Sequence, residues 1–191
     1  MKKRLLLHCC CAPCAAYVLE CLTPLYECAI FFYNPNIEPA LEYDKRKAEL
    51  HKLITRNSLL SRIELIDSDY NNAVFADLTG EFKHEPEGET RCGLCYELRL
   101  RETASRASAG KYNIFATTLS VSPHKNAGLL NEIGTKLAGE FNIEYLVSDF
   151  KKQDGYKRSV ELSKEYGLYR QIYCGCNSSM NSKTNLSAEN K

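Results

Sequence analysis

The sequence predicts a single Rossmann-like α/β domain, a mostly parallel sheet with helices on both faces. Short apolar runs of strand length and β-rich composition alternate along it with longer segments of helical periodicity. That alternation is the pattern of parallel strands joined by helical crossovers. A length of 191 residues suits one domain with a sizeable core better than it suits two.

The first strand is the apolar run Arg4 to His8, and a cysteine-rich turn leads from it to a helix over Ala15 to Leu22. Cys28 to Tyr33 reads as the second strand, about Ala40 to Arg56 as the second helix and Ile63 to Asp67 as the third strand. His84 to Thr90 is polar, acidic and rich in breakers, so it is expected to be a mobile loop, a candidate lid, entering a helix over Cys92 to Ala107. A strand over Asn113 to Thr117, a helix over Asn126 to Phe141, a strand over Glu144 to Val147 and a helix over Gly155 to Tyr166 follow. The catalytic α/β domain is expected to span residues 1–176. The polar stretch 177–191 cannot bury enough apolar area to offset its ordering entropy and is expected to be disordered.

Lys plus Arg number 25 against 24 Asp plus Glu, so any nucleic-acid contact must be a local patch and not a polycationic wrap. The N-terminal basic residues precede only three leucines, too few for a secretory apolar region or a membrane span. A cytoplasmic protein without a membrane contact is therefore expected, and in that reducing compartment cysteines serve as ligands or catalytic thiols more readily than as structural disulfides.

Seven of the ten cysteines fall in three groups: Cys10, Cys11 and Cys14 following Cys9, then Cys92 and Cys95, then Cys174 and Cys176. Ligands in open parallel sheets collect outside the carboxyl ends of the strands. The first group follows the first strand directly, the second should open a helix, and the third can return to the same rim. Cys9 should point away from the site, because neighbours in a strand-to-loop transition alternate faces. Cys21 and Cys28, in apolar surroundings, read as core residues. An iron-sulfur cluster needs about four thiolates, which Cys10, Cys11, Cys92 and Cys95 supply. Structural zinc takes four thiolates at similar spacing. Cys11 and Cys14, placed between a strand and a helix, also match a dithiol redox motif. Gly175 lets Cys174 and Cys176 face one metal or close a small, easily reduced disulfide.

Five ordered blocks carry a resemblance: His8 to Cys14 (HCCCAPC), Phe31 to Ile37 (FFYNPNI), Arg91 to Cys95 (RCGLC), Ala116 to Asn126 (ATTLSVSPHKN) and Leu168 to Cys176 (LYRQIYCGC). Together they resemble the QueH family of epoxyqueuosine reductases over nearly the whole chain up to Cys176. The resemblance implies a Rossmann-like (HUP-like) domain that reduces the epoxide of epoxyqueuosine, in the anticodon loop of tRNA, to queuosine. It implies a [4Fe-4S] cluster held by Cys10, Cys11, Cys92 and Cys95. It also implies an adjacent mononuclear metal, iron or zinc, with Cys14 as a ligand. Cys174 and Cys176 match the family's terminal pair, a redox-active disulfide or further metal ligands, which with Cys14 makes them candidate catalytic residues. An electron donor is required that the sequence does not identify.

Among proton donors, Asp149 is a candidate catalytic residue, and His8, Tyr33 and His124 lie at strand ends or in motif loops. Thr117, Thr118, Ser122, Lys125 and Asn126 follow a strand and open a helix, where a phosphate or ribose could rest. Tyr33, Asn34 and Asn36 offer an aromatic face beside amides, suited to a splayed base. Lys151, Lys152 and Arg170 complete the substrate-binding set as part of a basic C-terminal third, flanked by Tyr156, Tyr169 and Tyr173 as candidate RNA contacts.

Overall fold

A computed structural model describes residues 2–180. Its sheet has five parallel strands in the order β3-β2-β1-β4-β5. In chain order these are β1 (Arg4–His8), α1 (Ala12–Leu22), β2 (Glu27–Phe32), α2 (Ala40–Arg56), β3 (Glu64–Asp67), α3 (Asn72–Thr79), α4 (Thr90–Ala109), β4 (Ile114–Thr117), α5 (Ala127–Phe141), β5 (Glu144–Tyr145) and α6 (Gly155–Glu165). The expected α/β architecture is therefore present, as one domain.

The period of two along the strands divides the core into two layers. Leu5 and Leu7 of β1, Ile30 and Phe32 of β2 and Ile114 and Ala116 of β4 pack with Val18, Leu19, Leu50 and Leu162 of α1, α2 and α6. Leu6, Ala29, Phe31 and Phe115 point the other way, against Tyr96, Leu100, Ala104, Leu130 and Leu137 of α4 and α5. Burial on both faces explains the unbroken apolar runs of the three central strands.

Three elements depart from the sequence expectation. Helix α1 begins at Ala12 and not Ala15, because Pro13 fits the first turn, where its missing N–H costs nothing. Cys14 consequently sits inside that turn. Helix α3 was not anticipated: Asn71 caps it by accepting from Ala73 N, and it buries only Phe75 and Thr79, too few for a visible periodicity. Strand β5 stops at Tyr145 because Asn131 captures the next segment, donating to Ser148 O and accepting from Ser148 N, both at 3.1 Å. Cys21 and Cys28 are half-buried at the core margin and not within it. Of the tail expected to be disordered, residues 177–180 form a helical turn and the remainder lies outside the described residues. Among the described residues no helix is long and apolar enough to cross a membrane.

Candidate active site

Strand order reverses between β1 and β4, and a crevice opens beyond the carboxyl ends of such a pair. The cysteines gather there. Cys9 is buried in one core layer and Cys10 in the other, as the alternation of faces predicts, while Cys11, at the N-cap of α1, joins the layer of Cys10. The sulfurs of Cys10, Cys11 and Cys14 lie within 4.8 Å of one another, with Cys10 Sγ to Cys11 Sγ at 3.7 Å. From β4's end, Thr118 Oγ1 accepts from Cys10 N at 3.4 Å and lies 3.7 Å from its sulfur.

Helix α4 brings the second group. Cys92, Cys95, Tyr96, Arg99, Leu100 and Thr103 recur at helical spacing on its buried face, so one face carries two thiols and a cation. Cys92 packs in the same apolar cluster as Cys10 and Cys11 and accepts from Gly88 N at 3.2 Å. Arg99 is buried and donates to Asn34 Oδ1 at 2.9 Å and, at 3.7 Å, to Cys95 Sγ. The loop before the helix is held by Arg91, whose buried guanidinium donates to the carbonyls of Phe82, Lys83 and Glu85.

The third group arrives on the C-terminal segment. Arg46 of α2 donates to Tyr173 O and Cys174 O at 3.2 and 3.0 Å, while Tyr173 Oη donates to Glu38 O. Gly175 has φ +137°, and a Cβ there would come within 3.0 Å of Asn36 Nδ2 and Ile37 Cγ1, so the turn requires glycine. Lys125 donates to Cys174 Sγ at 2.9 Å and lies 3.9 Å from Glu87. Cys174 faces the cleft; Cys176 packs against Phe75 and Cys95 and lines a separate hollow.

The electrostatics follow from burial and these neighbours. Thiols of Cys11 and Cys14 donating to Cys10 hold its pKa well below the usual value, with Arg99 adding to the effect. The same bonds push Cys11 up to about 12 and raise Cys14. Burial raises Cys92 and pushes Cys95 up to about 11. Burial and the charge of Arg99 lower His8 to about 3, so its imidazole is neutral. His8 Nδ1 lies 3.0 Å from Thr117 Oγ1, which accepts from Leu119 N, and His8 Nε2 lies 3.1 Å from Tyr33 O and 3.4 Å from Arg99 Nε. Burial alone would lower Lys125, but the Cys174 sulfur outweighs it and keeps the ammonium charged.

A cleft of about 260 Å³ opens over this centre, lined by Cys10, Cys14, Cys174, Arg99, Lys125 and Ser122 and, at its mouth, by His124, Tyr156, Arg170 and Ile172. Cys14, Cys174, Lys125, Ser122 and Arg170 thus reach it as expected. Thr117, Thr118, Asn34 and Asn36 do not: all four are buried beneath it as scaffold, Asn34 donating to Cys9 O at 2.8 Å. Tyr33 is half-buried and stacked on Phe31, and Asn126 caps α5. Asp149 forms ion pairs with Lys151 at 2.6 Å and Lys152 at 3.9 Å, and none of these three lines the cleft. Sequence reasoning missed Arg99, Arg46 and Glu87. Arg99 had a signal, since it lies four residues beyond Cys95 in a helix.

The family model described as "Epoxyqueuosine reductase QueH" matches residues 5–182. A Staphylococcus epidermidis protein named Epoxyqueuosine reductase QueH is 40% identical over 179 residues, covering 92% of this chain and 75% of that protein. Proteins of the same name from Streptococcus pyogenes and Thermotoga maritima are 37% and 34% identical, covering 92% and 90% of this chain and 70% and 87% of theirs. With these matches laid over the cysteine-lined crevice, the chain belongs to the QueH family of epoxyqueuosine reductases.

Proposed function

We propose that the protein reduces the epoxide of epoxyqueuosine at the wobble position of tRNA to the cyclopentene of queuosine. The reaction consumes two electrons and two protons and releases the oxygen as water. The observation that carries the reading is the meeting of cysteines remote in sequence at the β1/β4 reversal: Cys10 and Cys14 line one crevice with Cys174, and Cys92 packs in the same buried cluster as Cys10 and Cys11.

The donor set fits a metal-thiolate group. Three sulfurs already lie at mutual ligand distance, more thiols stand behind them, and buried cations offset negative charge. In this reading Cys10, Cys11, Cys92 and Cys95 hold a [4Fe-4S] cluster, and Cys14 and Cys174, which both face the cleft, serve an adjacent iron or zinc ion. Cys176 is either a further ligand or the disulfide partner of Cys174. When bound, such centres supply electrons one at a time and a Lewis acid for the departing oxygen.

The chain's own groups do the rest. Lys125 holds an ammonium proton beside Cys174 at the cleft floor, within reach of an oxygen seated there. Leu119 and Pro13 help to exclude water from the walls. Tyr156, with Arg170 5.8 Å over its ring, presents a face on which an anticodon-loop base can stack. Lys152, three-quarters exposed, lies outside the cleft where a tRNA phosphate can reach it. Asp149, spent on ion pairs away from the cleft, is given no catalytic part.

Anaerobically reconstituted protein, incubated with epoxyqueuosine-containing tRNA and a strong chemical reductant, should convert the nucleoside to one lacking a single oxygen atom by mass spectrometry. Unchanged nucleoside from fully metal-loaded protein would defeat the reading.

A further inference from the structure

We propose that Arg99 is the fixed counter-charge of an anionic metal-thiolate centre, and that it makes the centre easier to reduce. The inference rests on the cofactor reading above and goes beyond it by assigning a role to a residue outside the ligand set.

Arg99 is 1% exposed, yet its polar neighbours are Asn34 Oδ1 at 2.9 Å, Cys95 Sγ at 3.7 Å and His8 Nε2 at 3.4 Å, none of them a carboxylate. Arg46, equally buried, shows the usual solution, a carboxylate partner in Glu42 at 2.8 Å. A buried cation without an opposite charge is costly enough that folds rarely keep one. The surroundings deepen the imbalance. Lys125 is a second buried cation, and its nearest carboxylate, Glu87, stands 3.9 Å away. Among the described residues, two cations therefore face one carboxylate, and the sulfurs of Cys95 and Cys174 stand within 3.7 and 2.9 Å of them as groups that can carry negative charge. Cys95 Sγ lies 3.7 Å from Arg99, and Cys10 and Cys174 line the same cleft as Arg99, so one sulfur from each cysteine group stands near it. An iron-sulfur cluster ligated by four thiolates is a net anion and balances this lining; a neutral occupant does not.

Position on α4 makes the arrangement rigid. Arg99 follows Cys95 by one helical turn and Cys92 by two, so ligands and counter-charge share one face. Each electron added to the centre increases its negative charge, and a fixed cation in a water-poor interior favours that reduced form.

The test compares wild type, Arg99→Met, Arg99→Lys and Asn34→Asp, each reconstituted anaerobically with iron and sulfide, by iron content and by a redox titration followed by electron paramagnetic resonance. Arg99→Met should shift the midpoint to more negative potential by at least a tenfold change in the one-electron equilibrium, about 59 mV, or lose iron that Arg99→Lys retains. Asn34→Asp leaves Arg99 in place but puts a carboxylate on its guanidinium, so the midpoint should move in the same direction. Equal iron loss in Arg99→Met and Arg99→Lys, or midpoints unchanged in Arg99→Met or in Asn34→Asp, would overturn the proposal. Should Arg99→Met fail to fold, Asn34→Asp decides alone; should neither fold, iron retained by Arg99→Lys supports the role and iron lost from it overturns it. Wild type that takes up no iron would sink the cofactor reading and this inference together, whereas a loaded wild type with unshifted variants sinks only the role of Arg99.

Discussion

The placement of Cys174 depends on a guanidinium contributed by α2, and Arg46→Met tests that dependence. Side chains of Arg46 and Glu42 are 1% and 11% exposed and pair at 2.8 Å, so the substitution strands a buried carboxylate and frees the carbonyls of Tyr173 and Cys174. Breaking a buried pair by removing one partner costs about 3–5 kcal/mol. Tyr169 Oη still donates to Glu42 at 3.1 Å, which places the expected loss near the lower end, about 3 kcal/mol. For a domain of this size that lowers Tm by roughly 6–12 °C. Urea unfolding followed by circular dichroism measures the loss, and amide hydrogen exchange over residues 169–176 shows whether the C-terminal segment has come loose. The double variant Glu42→Gln/Arg46→Met should regain part of the stability, because no charge is then left buried. Stability within about 1 kcal/mol of wild type, with exchange in that segment unchanged, would refute the reasoning.

Lys125→Met removes the ammonium that serves as proton source at the cleft floor, so kcat/KM should fall by about 100- to 10,000-fold while Lys125→Arg retains part; a fall below twofold would count against any role at the cleft floor. Gly175→Ala forces a side chain into positive φ against Asn36 and Ile37, and should cost about 1–3 kcal/mol in urea unfolding, an effect absent if the turn simply relaxes. Lys152→Glu should weaken tRNA binding and reduce the slope of log affinity against log salt by about one. Lys151→Glu should do less, since Lys151 is already paired with Asp149; equal effects from both would argue against that ion pair in solution.

The central strands were legible because burial on both faces leaves an unmistakable mark, the leucine run of β1 above all. Helix α4 was legible from the spacing of Cys92 and Cys95. Strand order was not, since it depends on which way each crossover turns, and it is this order that creates the crevice. Asn34 and Asn36 show a second limit. An amide in a loop reads as a ligand contact, but these two are buried, Asn34 between Cys9 and Arg99 and Asn36 beside Gly175, and nothing local distinguishes a loop amide facing solvent from one facing the core. Arg46 is a third case. Its contact with Cys174 spans 128 residues, while its local signal is an ordinary Glu-Arg pair one turn apart on an exposed-looking helix.

The dithiol reading of Cys11 and Cys14 meets a specific difficulty in the structure. A redox dithiol requires its first sulfur exposed at a helix N-terminus with a depressed pKa. Cys11 does occupy the N-cap of α1, but it is buried, offers its proton to Cys10, and is pushed up to about 12 by doing so. The depressed thiol is Cys10, one residue outside the motif, with donors in Cys11 and Cys14 and a guanidinium nearby. Three sulfurs within 4.8 Å of one another can take a metal ion. The cations Arg99 and Lys125, beside the sulfurs of Cys95 and Cys174, suit an anionic metal-thiolate occupant better than a neutral one, and the iron content of anaerobically reconstituted protein separates a cluster from zinc.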